Sequence, residues 1–233
     1  NYNTVSGSTD VTVNQATPSV SAWPNPSGIT YGQTLAGSTL SGGTASVSGS
    51  FTFATPTTTP TAGTYSAAVT FTPTNTALYN TVSSTVNVTV NKATPVVNAW
   101  PAASAIDYGQ TLADSSLSGG DASVAGTFEF TTPATAPDAG TYSAGITFTP
   151  DDTAHYVTVS GSVDVEVNQA TPTVSEWLTA SGITYGETLA DSSLSGGAAS
   201  VGGTFAFDAP TTAPGAGTYS AAVTFTPTDA TNY

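Results

Sequence analysis

The feature that most constrains this chain is a sequence repeat with a strict period of 77 residues. The pentapeptide Asn-Gln-Ala-Thr-Pro begins at Asn14 and Asn168, and its variant Asn-Lys-Ala-Thr-Pro begins at Asn91. The tripeptide Tyr-Gly-Gln, or Tyr-Gly-Glu in the last copy, recurs with the same spacing at Tyr31, Tyr108 and Tyr185. Self-similarity on this scale, without insertion or deletion, indicates a tandem array.

Each repeat is predicted to consist of β-strands. In the segment 64–72, the residues Tyr65, Ala67, Val69 and Phe71 share one face, and alternate with Thr, Ser and Ala. The segments 45–53 and 81–90 alternate in the same way. A period of two indicates strands with one buried face. No segment shows a period of 3.6 residues, so no helix longer than one turn is expected.

Every aromatic residue lies at a repeated position. One repeat contains seven aromatic residues, and three such sets together with Tyr2 account for all 3 Trp, 10 Tyr and 9 Phe. A binding platform confined to one repeat would need an additional aromatic, so these side chains are predicted to form the cores. Trp23, Trp100 and Trp177 are candidates for stacking on sugars, but their fixed phase favours packing in the core or at a joint.

The repeat boundaries follow from the linker pentapeptide. Residues 15–91, 92–168 and 169–233 form the first, second and third repeats, and residues 1–14 correspond to the final strand of a preceding repeat. The third repeat lacks that final strand, so the two ends are complementary. Either the sequence is a segment of a longer, continuous array of repeats, or separate copies join head to tail by strand donation.

Short strands separated by turn signals predict an all-β fold of three small antiparallel β-sandwiches. Pro residues stiffen the joints, at Pro18, Pro95 and Pro172, so the array is predicted to form an extended rod. The one cationic side chain, Lys92, lies in a predicted joint. Trypsin is therefore expected to cut the folded chain slowly, and only after Lys92.

The motif Ile-Thr-Tyr-Gly-Gln-Thr-Leu-Ala at residues 29–36, with Ala-Gly-Thr-Tyr-Ser-Ala-Ala-Val-Thr-Phe-Thr-Pro at 62–73, resembles bacterial immunoglobulin-like repeats. The resemblance covers the whole chain and is to the MBG type, YGX group. It implies immunoglobulin-like modules of large bacterial surface or extracellular proteins that serve as stalks, adhesins or fibres. The family brings no catalytic residues.

The formal net charge of −14, with 15 acidic residues and one Lys, argues against nucleic-acid and anionic-membrane partners. No run is long and apolar enough to span a membrane. A Thr-rich surface in a chain with only 7% charged residues is typical of proteins outside the cell, so an extracellular or cell-surface location is expected.

No residues form a convincing catalytic set. The single His155 has neither Cys nor a second His as a partner, and is interpreted as a solvated loop histidine. The residues Asp114, Asp121, Asp151 and Asp152 are weak candidates for Ca²⁺ ligands, because Ca²⁺ prefers several carboxylate oxygens. The first repeat has Gly37, Thr44 and Asn75 in three of these places. These aspartates are therefore interpreted as surface charges that increase solubility. No cofactor is expected.

The sequence predicts a non-enzymatic structural module of a long bacterial stalk, fibre or filament that spaces or links cells and surfaces. Its expected partners are neighbouring repeats or further copies. The alternative is an adhesin whose repeats bind a carbohydrate or protein ligand. Nearly identical loops favour the spacer, because a binding site would need a distinct patch.

Overall fold

The computed structural model describes all 233 residues and is nearly all β, with 43% of residues in strands. This confirms the all-β prediction. Three 3-10 turns of three residues are the only helical segments, and none could span a membrane: Leu35–Gly37, Leu112–Asp114 and Leu189–Asp191. The strands are β1 (Val20–Ala22), β2 (Asn25–Pro26), β3 (Ile29–Thr30), β4 (Leu40–Ser41), β5 (Thr44–Ala45), β6 (Gly49–Phe53), β7 (Gly63–Pro73), β8 (Val82–Asn91), β9 (Val97–Ala99), β10 (Ala102–Ala103), β11 (Ile106–Asp107), β12 (Leu117–Ser118), β13 (Asp121–Ala122), β14 (Gly126–Phe130), β15 (Gly140–Pro150), β16 (Val159–Asn168), β17 (Val174–Ala180), β18 (Leu194–Ala199), β19 (Gly203–Phe207) and β20 (Val223–Pro227).

The first of two compact units comprises residues 1–96, 123–127 and 149–159. Its largest sheet has the order β3-β8-β7-β6, in which β8 pairs antiparallel with β7 and parallel with β3. The strands predicted at 64–72 and 81–90 are confirmed as β7 and β8. Of the predicted strand 45–53, residues 46–48 form a bend, because β5 pairs with β1 whereas β6 pairs with β7.

Alternation along β7 and β8 builds the core of the first unit. Val69, Phe71 and Val88 are at most 1% exposed, while the intervening Ser66 and Thr89 face solvent. Burial of each such side chain contributes about 1.5–3 kcal/mol. Residues 1–15, in contrast, contain no strand and are exposed.

The second unit comprises residues 97–122, 128–148 and 160–233. Most residues of a second four-stranded sheet belong to it, and this sheet has the corresponding order β11-β16-β15-β14. Its core contains Ile106, Leu112, Ala144, Val165 and Val167, all at most 2% exposed.

Residues 169–233 of the second unit form smaller sheets. β17 pairs with β18, and β19 pairs with β20. β20 has five residues, whereas the corresponding β7 and β15 each have eleven.

The same aromatic packing recurs in each repeat. A Trp contacts a Phe edge to face at centroid distances of 5.6–6.0 Å, and that Phe packs on a second Phe at 4.8–5.0 Å. The sets are Trp23–Phe51–Phe71, Trp100–Phe128–Phe148 and Trp177–Phe205–Phe225. The tryptophans thus pack against phenylalanines of their own repeat.

Candidate functional site at the joints between repeats

The Tyr-Gly-Gln motif is a turn that presents its tyrosine beyond the end of β3. Gly32 has a φ of +91°, which L side chains rarely adopt. The Gln33 amide donates to the Thr30 carbonyl at 2.9 Å, and the Gln33 side-chain oxygen accepts from the Thr30 amide at 2.8 Å. The backbone amide of Tyr31 donates to the carbonyl of Asn91 at 2.8 Å. The position of the tyrosine is therefore determined by both the turn and β8.

In the first unit, Tyr31 of the first repeat contacts two side chains of the second. It stacks on His155 with ring centroids 4.3 Å apart and planes inclined by 28°. Tyr156 contacts it edge to face at 5.5 Å. These three rings form the first joint.

His155 lies in a turn, as expected, but it is not freely solvated. Its side chain is 22% exposed, and its Nδ1 lies 2.8 Å from the Asp152 carboxylate. The His155 amide also contacts that carboxylate, at 3.2 Å. The expectation failed because the ring packs against Tyr31, which is remote in the sequence.

The second unit contains a corresponding joint between the second and third repeats. Tyr108 contacts Tyr233 edge to face at 5.4 Å. Asn232, in the place of His155, is 6% exposed, and its Oδ1 accepts from the Ala139 amide at 2.8 Å. Its Nδ2 donates to Asp229 at 2.8 Å and to Asp138 at 3.3 Å. A hydrogen-bonded amide here replaces the stacked imidazole.

The electrostatics of the second joint follow from these contacts. Burial raises the pKa of Tyr108, and the neighbouring Tyr233, Asp229 and Asp138 raise it further. The hydrogen bond from the Asn232 side chain lowers the pKa of Asp229. The joint therefore favours a neutral phenol and an ionised carboxylate.

The linker pentapeptide connects each repeat to a loop of the same repeat. The second linker residue donates from its side chain to a backbone carbonyl: Gln15 to Thr76 at 2.7 Å, Lys92 to Thr153 at 2.6 Å, and Gln169 to Ala230 and Thr231, both at 3.0 Å. The next residue donates its amide to the same loop, as Ala93 does to His155 at 2.8 Å. Lys92 and the two glutamines thus have one common role.

Two of the Ca²⁺ candidates are held by neighbouring hydrogen-bond donors. The amide and hydroxyl of Thr111 donate to Asp114 Oδ2 at 2.8 and 2.9 Å, which lowers the pKa of Asp114. Asn98 donates to Asp121 at 2.8 Å. Asp114 therefore forms a capping box for a 3-10 turn. The Thr-Leu-Ala-Asp sequence at 111–114 could have indicated that role.

The other two candidates lie in the loop after β15. The Asp152 carboxylate contacts the imidazole of His155. The backbone amide of Asp151 donates to the carbonyl of Ala125 at 3.0 Å. Nowhere in the structure do three or more His, Asp or Glu side chains form a group that could hold a metal ion.

The sequence predicts joints at the linkers but not the ring contacts made there, because its pattern places all the aromatics together in the cores. The signal that could have revealed them is the constant phase of two tyrosines per repeat, at positions 31 and 79 and their equivalents. Comparison with known protein families and with curated protein sequences gives no match.

Proposed function

We propose that this chain is a non-enzymatic structural spacer, built from three immunoglobulin-like β-sandwich repeats of a bacterial extracellular stalk, fibre or filament. The observation that carries the proposal is the joint made twice with the same pair of residues. Tyr31 contacts Tyr156 at 5.5 Å, and Tyr108 contacts Tyr233 at 5.4 Å. A spacer needs such a repeated joint, because it must hold each module to the next in the same way.

The linkers support this function. The second and third linkers begin directly after a long strand, as Lys92 follows β8 and Gln169 follows β16. The side chain of each of these two residues is hydrogen-bonded to a loop of the following repeat. Pro95, three residues after Lys92, lacks an amide hydrogen and has a restricted φ. Few freely rotating bonds remain, so the linkers favour stiff joints.

The chemistry of the chain also supports a spacer. Histidine occurs once, and its imidazole is stacked on Tyr31 and in contact with Asp152. A hydrolytic triad or an acid–base pair would need its groups at a common cleft. The resemblance of the Tyr-Gly-Gln motif to extracellular bacterial repeats points to the same kind of protein.

Small-angle X-ray scattering of the monomeric chain tests the proposal. Three repeats in line, each about 35 Å long from strands of about ten residues at about 3.3 Å rise, give a maximum dimension of roughly 100 Å. A compact globule of this size has a radius of gyration of about 17 Å. A measured radius of gyration of about 17 Å would contradict the spacer. Saturable binding of the chain to a glycan array would instead favour an adhesin.

A further inference from the structure

The rings that meet at the joints are tyrosines, whereas the rings packed inside each repeat are tryptophan and phenylalanine. Inside the repeats a Trp contacts a Phe, and that Phe packs on a second Phe. At the joints Tyr31 contacts Tyr156 at 5.5 Å with planes inclined by 85°. Tyr108 contacts Tyr233 at 5.4 Å with planes inclined by 79°. The same pair of phenols is therefore made twice, in nearly the same geometry.

The phenol hydroxyls are not used in holding the joints. The side chains that form hydrogen bonds there are His155 and Asp152 in the first joint, and Asn232, Asp229 and Asp138 in the second. None of these bonds involves a phenol hydroxyl. A phenylalanine presents the same ring for packing, and the chain uses phenylalanine for that purpose in its cores. Packing alone therefore does not account for tyrosine at all four positions.

The backbone holds the two rings of each pair in place. The amide of Tyr31 donates to the Asn91 carbonyl at 2.8 Å, and the His155 ring stacks on the phenol. The amide of Tyr156 donates to the Asp152 carbonyl at 3.1 Å. Both rings are half-buried, so they touch each other and also reach solvent. Groups held in contact in this way react with each other far faster than groups that must first meet.

The corresponding backbone bonds hold the second pair. The amide of Tyr108 donates to the Asn168 carbonyl at 2.8 Å, and the amide of Tyr233 donates to the Asp229 carbonyl at 3.2 Å. These two rings are also half-buried. The second pair is therefore positioned for the same chemistry as the first.

Two phenols in contact can be joined by oxidation. Each phenol loses one electron and one proton and becomes a phenoxyl radical, whose unpaired electron is shared with the ring carbons ortho to the oxygen. Two such radicals form a carbon–carbon bond between ortho carbons, and each ortho hydrogen then moves to the oxygen of its own ring. Overall the pair loses two electrons and two protons. One molecule of hydrogen peroxide, acting through a peroxidase, takes them up and becomes two molecules of water.

The composition leaves this route open and closes others. The chain contains no Cys and no Met, the two residues whose oxidation would compete most directly for peroxide. Without Cys no disulfide can connect the repeats. Lys92 is the only Lys, so side-chain amide bonds cannot recur from repeat to repeat. The tyrosine pairs are therefore the recurring groups that can connect one repeat covalently to the next.

We propose that the two tyrosine pairs are sites of oxidative cross-linking by a peroxidase and hydrogen peroxide, in which dityrosine forms between Tyr31 and Tyr156 and between Tyr108 and Tyr233. Each bond connects one repeat to the next. It also restricts the unfolded chain, as a disulfide does, and so stabilises the joint. The proposal rests on the ring contacts and not on the proposed spacer function, so either one can fail without the other.

The single lysine provides a direct test at the first joint. Trypsin can cut only after Lys92, so Tyr31 and Tyr156 fall in different fragments, 1–92 and 93–233. The folded chain is oxidised in dilute solution with a peroxidase and hydrogen peroxide, and the monomer is isolated. It is then unfolded in urea and digested. Dityrosine at the first joint should keep the two fragments together on a denaturing gel. The joined product should show blue dityrosine fluorescence and, by mass spectrometry, the loss of two hydrogen atoms for each bond.

Conservative variants assign the bonds to the two pairs. Tyr31→Phe should abolish the joined product but leave the fluorescence of fragment 93–233, which contains the second pair. Tyr108→Phe should keep the joined product, and the double variant should lose both the joined product and the fluorescence. Tyr142→Phe is the matched control, because Tyr142 is a half-buried tyrosine of β15 that belongs to neither pair. Each variant keeps its ring, so the packing is retained.

Two results would overturn the proposal. One is complete separation of the fragments 1–92 and 93–233 after oxidation of the folded chain. The other is a joined product that forms equally well in Tyr31→Phe and in Tyr142→Phe, because the bond would then lie between other tyrosines.

Discussion

Tyr31 and His155 stack with their ring centroids 4.3 Å apart, although they belong to different repeats. The position of His155 is occupied by Leu78 in the first repeat and by Asn232 in the third. Leu78 is 59% exposed, whereas Asn232 is 6% exposed and fully hydrogen-bonded into the second joint. This repeat position therefore carries a stacked ring in the first joint and a hydrogen-bonded amide in the second.

His155→Ala is expected to destabilise the first joint, because it removes the stacked ring. An aromatic pair contributes about 0.5–1.5 kcal/mol beyond its buried area, and the free energy of unfolding in urea is expected to fall by at least this amount, because the buried area and the Asp152 contact are lost as well. Leu78→Ala is the matched control and should change stability by less than about 0.5 kcal/mol, as exposed positions generally do. A double-mutant cycle with Tyr31→Ala isolates the coupling between the rings. A coupling of zero would show that the stack contributes nothing.

Gly203→Ala is expected to destabilise the third repeat by about 1–3 kcal/mol, the usual cost of overpacking. A Cβ at Gly203 would overlap the Phe225 ring and the Thr226 carbonyl oxygen. The adjacent Gly202→Ala serves as control, because a Cβ at Gly202 would have no neighbouring atom within 4 Å. Thermal unfolding of both variants gives the comparison, and equal melting temperatures would contradict the prediction.

Alkaline pH is expected to weaken the second joint. The pKa of Tyr108 is raised in the folded chain, so folding favours the neutral phenol. This contribution is fully present below the unfolded tyrosine pKa of about 10 and is lost as the pH rises through the higher folded value. Urea unfolding across this pH range measures the loss. Tyr108→Phe should make the dependence shallower, and an unchanged slope would exclude Tyr108 as its source.

Trypsin is expected to cut the native chain slowly after Lys92. The Lys92 ammonium donates to the Thr153 carbonyl at 2.6 Å, and the following Ala93 amide is also hydrogen-bonded. Cleavage therefore requires local opening. Gel electrophoresis should show two fragments, 1–92 and 93–233, appearing faster as urea is added. Lys92→Gln should abolish cleavage while keeping the linker contact that Gln15 makes. Complete cleavage within minutes in buffer would indicate a loose joint.

The local pattern predicted the long strands but not every boundary. Residues 64–72 alternate with period two because successive side chains of a strand point to opposite faces, and they form β7 as expected. Residues 45–53 alternate equally well, yet residues 46–48 bend. Alternation records which side chains are buried, whereas the bend arises from a change of partner strand, from β1 to β7.

At the candidate site, too, the sequence predicted local features but not the contacts between distant residues. The phase of Tyr31 and Tyr156 was visible in the repeat, but their contact was not, because periodicity contains no information on distances between repeats. For the same reason the sequence favours a solvated loop residue at His155, whereas its ring packs on Tyr31. For Asp114 a local signal exists, because Thr111 three residues earlier is typical of a capping box and favours that role over Ca²⁺ binding.

The sequence by itself determined that the chain is β-rich. It also determined where the two longest strands of each four-stranded sheet lie, and which face of each strand is apolar. These properties depend on neighbouring residues and on the geometry of a single extended strand. Tertiary structure decided which rings meet at the joints and where the strand predicted at 45–53 is interrupted. Those outcomes depend on where distant segments are placed. Residues 45–53 and 64–72 alternate equally well, yet only the second segment forms one continuous strand.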